Sequence, residues 1–156
     1  METIKLFHAS PTKLKAGEML KNKSEIEGER YLYLAPNLEQ AYFWASWLDS
    51  KYKISDYYFY EVHIPFSQKV LVSEGGVYIS WGGGVQMKAS ELIDLLDDLD
   101  LEAEIVVPLS LEIKKVIEFD PAFWEKTRRW IKFKEFKERE RHKKRINVPF
   151  YNNKFK

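Results

Sequence analysis

Between Ile4 and Leu48 the chain reads strand, turn, strand, helix, and that order constrains the fold more than any other stretch. The runs ending at His8 and at Tyr33 are short and rich in Ile, Leu, Phe and Tyr, and each stops at a small polar residue, as neighbouring strands do. Pro11 and Gly17 punctuate a turn after the first run. Residues 21–30 (KNKSEIEGER) carry no apolar period, which predicts a solvated loop. Pro36 blocks helix upstream, and Asn37 is a good N-cap with Gln40 as its capping-box partner. Leu38, Ala41, Trp44, Ala45 and Leu48 then share one helical face. A His and a Tyr at the ends of adjacent strands, beside an aromatic helix, predict a cleft for a flat ring.

Further along, DYYFYEVHIP alternates, with Tyr58, Tyr60, Val62 and Ile64 on one side, so it reads as a central or near-central strand ended by Pro65. Val70–Val72 and Val77–Trp81 are shorter strand candidates, interrupted by Gly75-Gly76 and Gly82-Gly83-Gly84. ASELIDLLDDLD predicts an amphipathic helix with Leu92, Leu95, Leu96 and Leu99 as its stripe. EAEIVVP and LEIKKVIEF predict two strands divided at Pro108. Asp120-Pro121 is a strong helix start, and that helix is expected to run to about Arg145. Strands with few, unevenly spaced helices indicate α+β, and 156 residues suit one domain with a real core.

The chain has no cysteine, which excludes disulfides, thiolate metal sites and a Cys nucleophile. The opening METIKLFHAS lacks a signal-peptide layout, and no window has the length of a membrane span, so a cytoplasmic protein is expected. Charge is divided. Residues 1–120 hold 12 Lys+Arg against 20 Asp+Glu, whereas residues 121–156 hold 13 against 4. An acidic body with a basic tail predicts an anionic contact for the tail: a partner, a nucleic acid or the body itself. Trp130, Phe133 and Phe136 interleave with the tail's cations, as in surfaces for unpaired RNA or DNA. The plainer reading is a helix whose aromatic half docks on the body and whose charged end is merely soluble.

Chemistry concentrates at Leu101–Pro108. Glu102 and Glu104 open an otherwise apolar strand, spaced so that both side chains point to one face at its mouth. Two carboxylates so placed suit acid–base work or the stabilisation of a developing cation; the plainer alternative is an edge strand with solvent-facing acids. No His or acidic cluster has metal-ligand spacing, so no metal is expected. Gly82-Gly83-Gly84 lacks the spacing of a phosphate cradle and reads as a turn or flexible loop. His63 reads as part of a solvated strand face, and His142 as part of the basic tail.

Taken in order, His8-Ala9-Ser10, Leu14 to Gly17, Tyr33-Leu34-Ala35 and the helix with Ala41 and Ala45 resemble the NAD-dependent ADP-ribosyltransferases of the His-Tyr-Glu class. The small bacterial enzymes that inactivate rifamycin are the most similar over about the first fifty residues, and nothing after Asp120 matches. The resemblance implies a split β-sandwich over residues 1–120, with residues 121–156 as a basic helix and tail of the same domain. It implies NAD as co-substrate, with Glu104 as the catalytic carboxylate and Glu102 helping to accept the incoming nucleophile. His8, Ala9, Ser10, Tyr33 and Trp44 are the implied NAD-binding residues, with Tyr33 stacking on nicotinamide, and Trp44 or Phe43 closing its other face. Trp81, before the glycines, takes the place of the family's substrate-recognition loop. Ala9 departs from the family's Gly, and the rifamycin enzymes carry Asp where this chain has Glu104.

The activity so implied is mono-ADP-ribosylation of a macromolecule, protein arginine ahead of a nucleic-acid base, in the manner of a toxin or phage effector with a possible neutralising partner. A drug-modifying enzyme and an inactive relative that binds nucleic acid or protein through the basic helix are the alternatives.

Overall fold

A computed structural model describes residues 2–21, 23–26, 29–52, 56–74, 79 and 82–147. It is an α+β structure of ten strands and three helices among those residues. In chain order these are β1 (Thr3–Ser10), β2 (Met19–Leu20), β3 (Lys23–Ile26), β4 (Glu29–Leu34), α1 (Leu38–Tyr52), β5 (Tyr58–Pro65), β6 (Lys69–Ser73) and β7 (Val85–Lys88). There follow α2 (Ala89–Leu92), a 3-10 turn (Ile93–Leu95), β8 (Glu104–Val107), β9 (Leu111–Glu112), β10 (Lys115–Ile117) and α3 (Pro121–Asn147).

Two antiparallel sheets dominate, ordered β1-β5-β10 and β3-β4-β8-β6-β7, with a small β2-β9 pair beside them. A single bridge, Phe7 to Ala35, joins the edge strand β1 to the end of β4. The alternation of β5 explains its central place. Tyr60, Val62 and Ile64, with Ile4 and Leu6 of β1, meet Leu32, Leu34, Val70, Val72, Ile105 and Val107 from the larger sheet in one core. Each such side chain contributes about 1.5–3 kcal/mol of burial. On the other face of β5, Tyr57 and Phe59 pack with Ala41, Tyr42 and Ala45 of α1, and Phe123 and Trp124 of α3 pack against that cluster. Tyr42 stacks on Phe59 at 4.0 Å between ring centroids, and its hydroxyl accepts from the Asp120 N–H at 2.8 Å.

Three expectations are corrected here. Residues 21–30 are not a loop throughout, since β3 pairs with β4 across a bulge; backbone pairing at a sheet edge needs no apolar period. The stretch ASELIDLLDDLD is helical only over Ala89–Leu92 before a 3-10 turn, and Leu95 is exposed. Asp94, Asp97, Asp98 and Asp100 explain this, because Asp is a poor helix former and a carboxylate opposes the dipole at a helix C-terminus. LEIKKVIEF is two strands that join different sheets, β9 with β2 and β10 with β5. Of the Val77–Trp81 candidate, Ile79 alone is described, as a buried 3-10 residue; Trp81 lies outside the described residues.

Candidate functional site at the strand junction

The Phe7–Ala35 bridge marks where β1 leaves β4, and four of the predicted site residues, His8, Ala9, Tyr33 and Glu104, lie around it. The Phe7 N–H donates to the Ala35 carbonyl at 2.9 Å and the Ala35 N–H to the Phe7 carbonyl at 2.7 Å. Backbone direction alternates along a strand, so Ala9, two residues on, turns its N–H and C=O to that same side, past the bridge and away from β5. His8 lies between. Its Nδ1 is 2.6 Å from the Tyr33 carbonyl oxygen, a contact in which nitrogen must donate, so in a neutral ring Nε2 is the acceptor.

Tyr33 stands opposite Val106 in the β4–β8 ladder, and Glu104 is two residues before Val106. Strand alternation therefore puts Tyr33, Val106 and Glu104 on one sheet face, with Tyr33 and Glu104 diagonal neighbours about 7–8 Å apart. That face is turned away from the core that takes Leu32, Leu34, Ile105 and Val107. His8 belongs by the same parity with Leu6, on the core side of β1, and reaches Tyr33 through the parting of the strands rather than from a shared face. The structure thus joins all three residues at one junction while dividing them between two sides of it.

Glu104 is half-buried and tied down. Its Oε1 accepts from the Ile79 N–H at 2.9 Å and lies 3.4 Å from the Ser73 hydroxyl, the residue facing it across β6. Gly84 makes this possible. At φ 107° a Cβ there would lie 3.3 Å from both the Ile79 side chain and the Val72 carbonyl oxygen, so glycine lets Ile79 close over the carboxylate. Asn37 caps α1 as expected, its Oδ1 accepting from the Gln40 N–H at 2.8 Å. The Gln40 side chain does not complete a capping box; it donates to the Ala103 carbonyl at 2.8 Å and pins α1 beside the residue preceding Glu104.

Glu102 is not on the strand. The Asp100 side chain accepts from the Glu102 N–H at 3.0 Å, and this turn delays strand pairing until Glu104, so the two carboxylates do not share a strand face. Glu102 instead forms an ion pair with Lys134 of α3. Trp44, one helical turn beyond Gln40, meets Phe43 and Trp47 edge-on, and Phe43 is buried with Trp130 against it. The Ser10 hydroxyl accepts from the Thr12 N–H at 3.1 Å, a local turn bond.

Ser73, the Ile79 N–H and Lys134 escaped sequence reasoning, for nothing local marks them, as did the Gln40 bond to Ala103. Tyr60 did too: its buried hydroxyl accepts from the Leu14 N–H and donates to the Thr12 carbonyl, each at 2.7 Å, fixing the turn that follows His8. Burial raises the Tyr60 phenol above its ordinary pKa.

A separate cavity of about 310 Å³ opens at the start of β5, between β10 and the head of α3, with Asp56, Tyr57, Tyr58, Phe119 and Trp124 in its lining. None of the predicted site residues lines it, so volume and predicted chemistry point to different places. The junction is the better candidate, because three strands bring a carboxylate, a phenol and an imidazole to it. Among the described residues no group of three His, Asp or Glu is arranged to hold a metal ion, and no helix is long and apolar enough to cross a membrane. The chain matches no family model, no curated protein and no solved structure.

Proposed function

We propose that this chain is a mono-ADP-ribosyltransferase with the split β-sandwich of the His-Tyr-Glu class, moving ADP-ribose from NAD to a macromolecular acceptor. The observation that carries the reading is Glu104 on the same sheet face as Tyr33, one diagonal away, with His8 holding the Tyr33 carbonyl. Tyr33 offers its ring to nicotinamide as an offset stack. The Ala9 N–H and C=O, directed past the bridge, complement a carboxamide, which both donates and accepts.

Glu104 accepts a hydrogen bond from a hydroxyl of the nicotinamide ribose and offsets the positive charge that grows there as the glycosidic bond weakens. Oε1 is already oriented by Ile79, so this stabilisation needs little reorganisation. The ribose–nitrogen bond breaks and its electron pair leaves with neutral nicotinamide. A lone pair of the acceptor forms the new bond to the same ribose carbon, and the acceptor's proton passes to a carboxylate or to solvent. Glu102 is already neutralised by the ammonium of Lys134 and lies off the Glu104 strand face, so the acceptor stays open between a protein side chain and a nucleic-acid base.

Purified protein incubated with NAD should release nicotinamide slowly, and Glu104→Gln should abolish that release without altering the folded state. Isotope-labelled NAD added to a cell lysate should place label on one macromolecule. A wild-type protein that neither binds nor consumes NAD overturns the reading.

A further inference from the structure

The outer face of α3 is unaccounted for by the junction. At 27 residues the helix is about 40 Å long, yet through Lys143 no residue after Ile131 is buried. Thr127 and Ile131 define the docked side. With about 100° of turn per residue, Arg129, Phe133, Phe136 and Glu140 fall together on the opposite side, flanked by Lys126 and Lys137 on one edge and Lys132 and Lys143 on the other. Phe133 and Phe136 are 59% and 52% exposed, and Lys137 lies 5.5 Å over the Phe133 ring.

Two of the four acidic residues that interrupt the run in sequence turn away from this face, and a third is paired on it. Glu135 and Glu138 turn toward the docked side, while Glu140 is 3.4 Å from Lys143, leaving Glu125 as the other acid on the outer face. Two acids of the body pair with the helix away from this face, Glu102 with Lys134 and Asp49 with Arg128.

We infer that this face binds single-stranded nucleic acid, the cations neutralising phosphates and the two phenylalanines stacking on unpaired bases. Charge complementarity selects a polyanion, and the rings select one that carries flat apolar faces: an acidic protein would match the cations and leave the rings in water. Three residues along a helix advance about 4.5 Å, comparable with the spacing of successive bases. The inference uses no NAD chemistry, so it and the proposed activity fail separately.

The test is fluorescence anisotropy of labelled oligouridine and oligothymidine, each of about twelve nucleotides, titrated with the full chain at several salt concentrations. Binding should weaken with salt at a log–log slope near −3, about 0.7 for each of Lys126, Arg129, Lys132 and Lys137. Phe133→Ala and Phe136→Ala, both on the surface and expected to leave the circular dichroism spectrum unchanged, should each weaken binding at least about fivefold. Lys132→Glu should flatten the slope. Equal affinity for both oligomers supports recognition through phosphates and base faces, and a preference for oligouridine supports an added 2′-hydroxyl contact. No binding at the lowest salt overturns the inference. Binding unaffected by either phenylalanine variant overturns it, as does equal affinity for polyglutamate with the same ring dependence.

Discussion

The junction around Glu104 and the outer half of α3 both present charged side chains, and they hold them in opposite ways. Glu104 is half-buried, with a backbone donor on one oxygen and neighbours drawn from β4, β6 and the segment containing Ile79. Beyond Ile131, apart from Lys134 and its pair with Glu102, α3 carries its charges on a helix that touches little else, so their geometry is a property of the helix itself. One region is a site because distant strands agree on it; the other is a surface because one helix repeats itself. Substitutions at the junction should therefore change chemistry or stability, whereas those on outer α3 should leave the fold alone.

The hardest strike against that contrast falls where the two regions are joined. Tyr42→Ala removes the ring between Phe59, Phe119, Phe123 and Trp124 and the acceptor of the Asp120 N–H. Unfolding free energy measured in urea should fall by about 3–5 kcal/mol, and loss of less than about 1 kcal/mol would show that the head of α3 is not tied to the sheet.

Glu104→Gln keeps an acceptor for Ile79 and the side chain's size, so melting should be nearly unchanged while nicotinamide release drops about 100- to 1,000-fold. Equal rates for variant and wild type would leave the junction a structural feature only. Gly84→Ala forces a Cβ against Ile79 and Val72 at a positive φ, and should cost about 1–3 kcal/mol together with part of the activity. A fully stable variant would mean that Ile79 moves without consequence.

Alkaline pH probes the packed side of the comparison. Burial raises the phenol pKa values of Tyr42, Tyr57 and Tyr60 above 10.0, with Asp49 adding to the effect at Tyr57. Above that pH the unfolded chain loses phenolic protons that the folded chain keeps, so stability should fall as pH rises through the folded values and be unaffected by these groups below 10.0. Denaturation midpoints between about pH 9 and 11.5 would show it, and a flat profile would contradict it.

The smallest effect belongs to Lys134→Ala. Its pair with Glu102 is about one-third exposed on both sides, so stability should change by less than about 1 kcal/mol. If Glu102 orients a cationic acceptor, acceptor modification should change while nicotinamide release stays constant, and equal changes in both would place Lys134 in NAD binding instead.

Local signals were legible where the deciding interactions are local. Asn37 caps α1, and Asp120 caps α3 by accepting from the Ala122 N–H at 3.0 Å and the Phe123 N–H at 3.3 Å. The period of two in β5 marked a central strand because both its faces are covered at the Tyr57–Tyr60 end. Glu102 shows where such reasoning stops. Its spacing from Glu104 is right for a shared strand face, but Asp100 takes its N–H, and pairing with β4 and β6 starts later.

The sequence by itself determined the α+β class, the major strands, and where the two long helices begin, since propensity, period and capping act within a few residues of one another. Tertiary structure alone decided that His8 meets the Tyr33 carbonyl, that Tyr33 and Glu104 share a face, and that Glu102 goes to Lys134. Those placements depend on strand register, which is set by burying both sheets' apolar faces together rather than by any neighbouring residue.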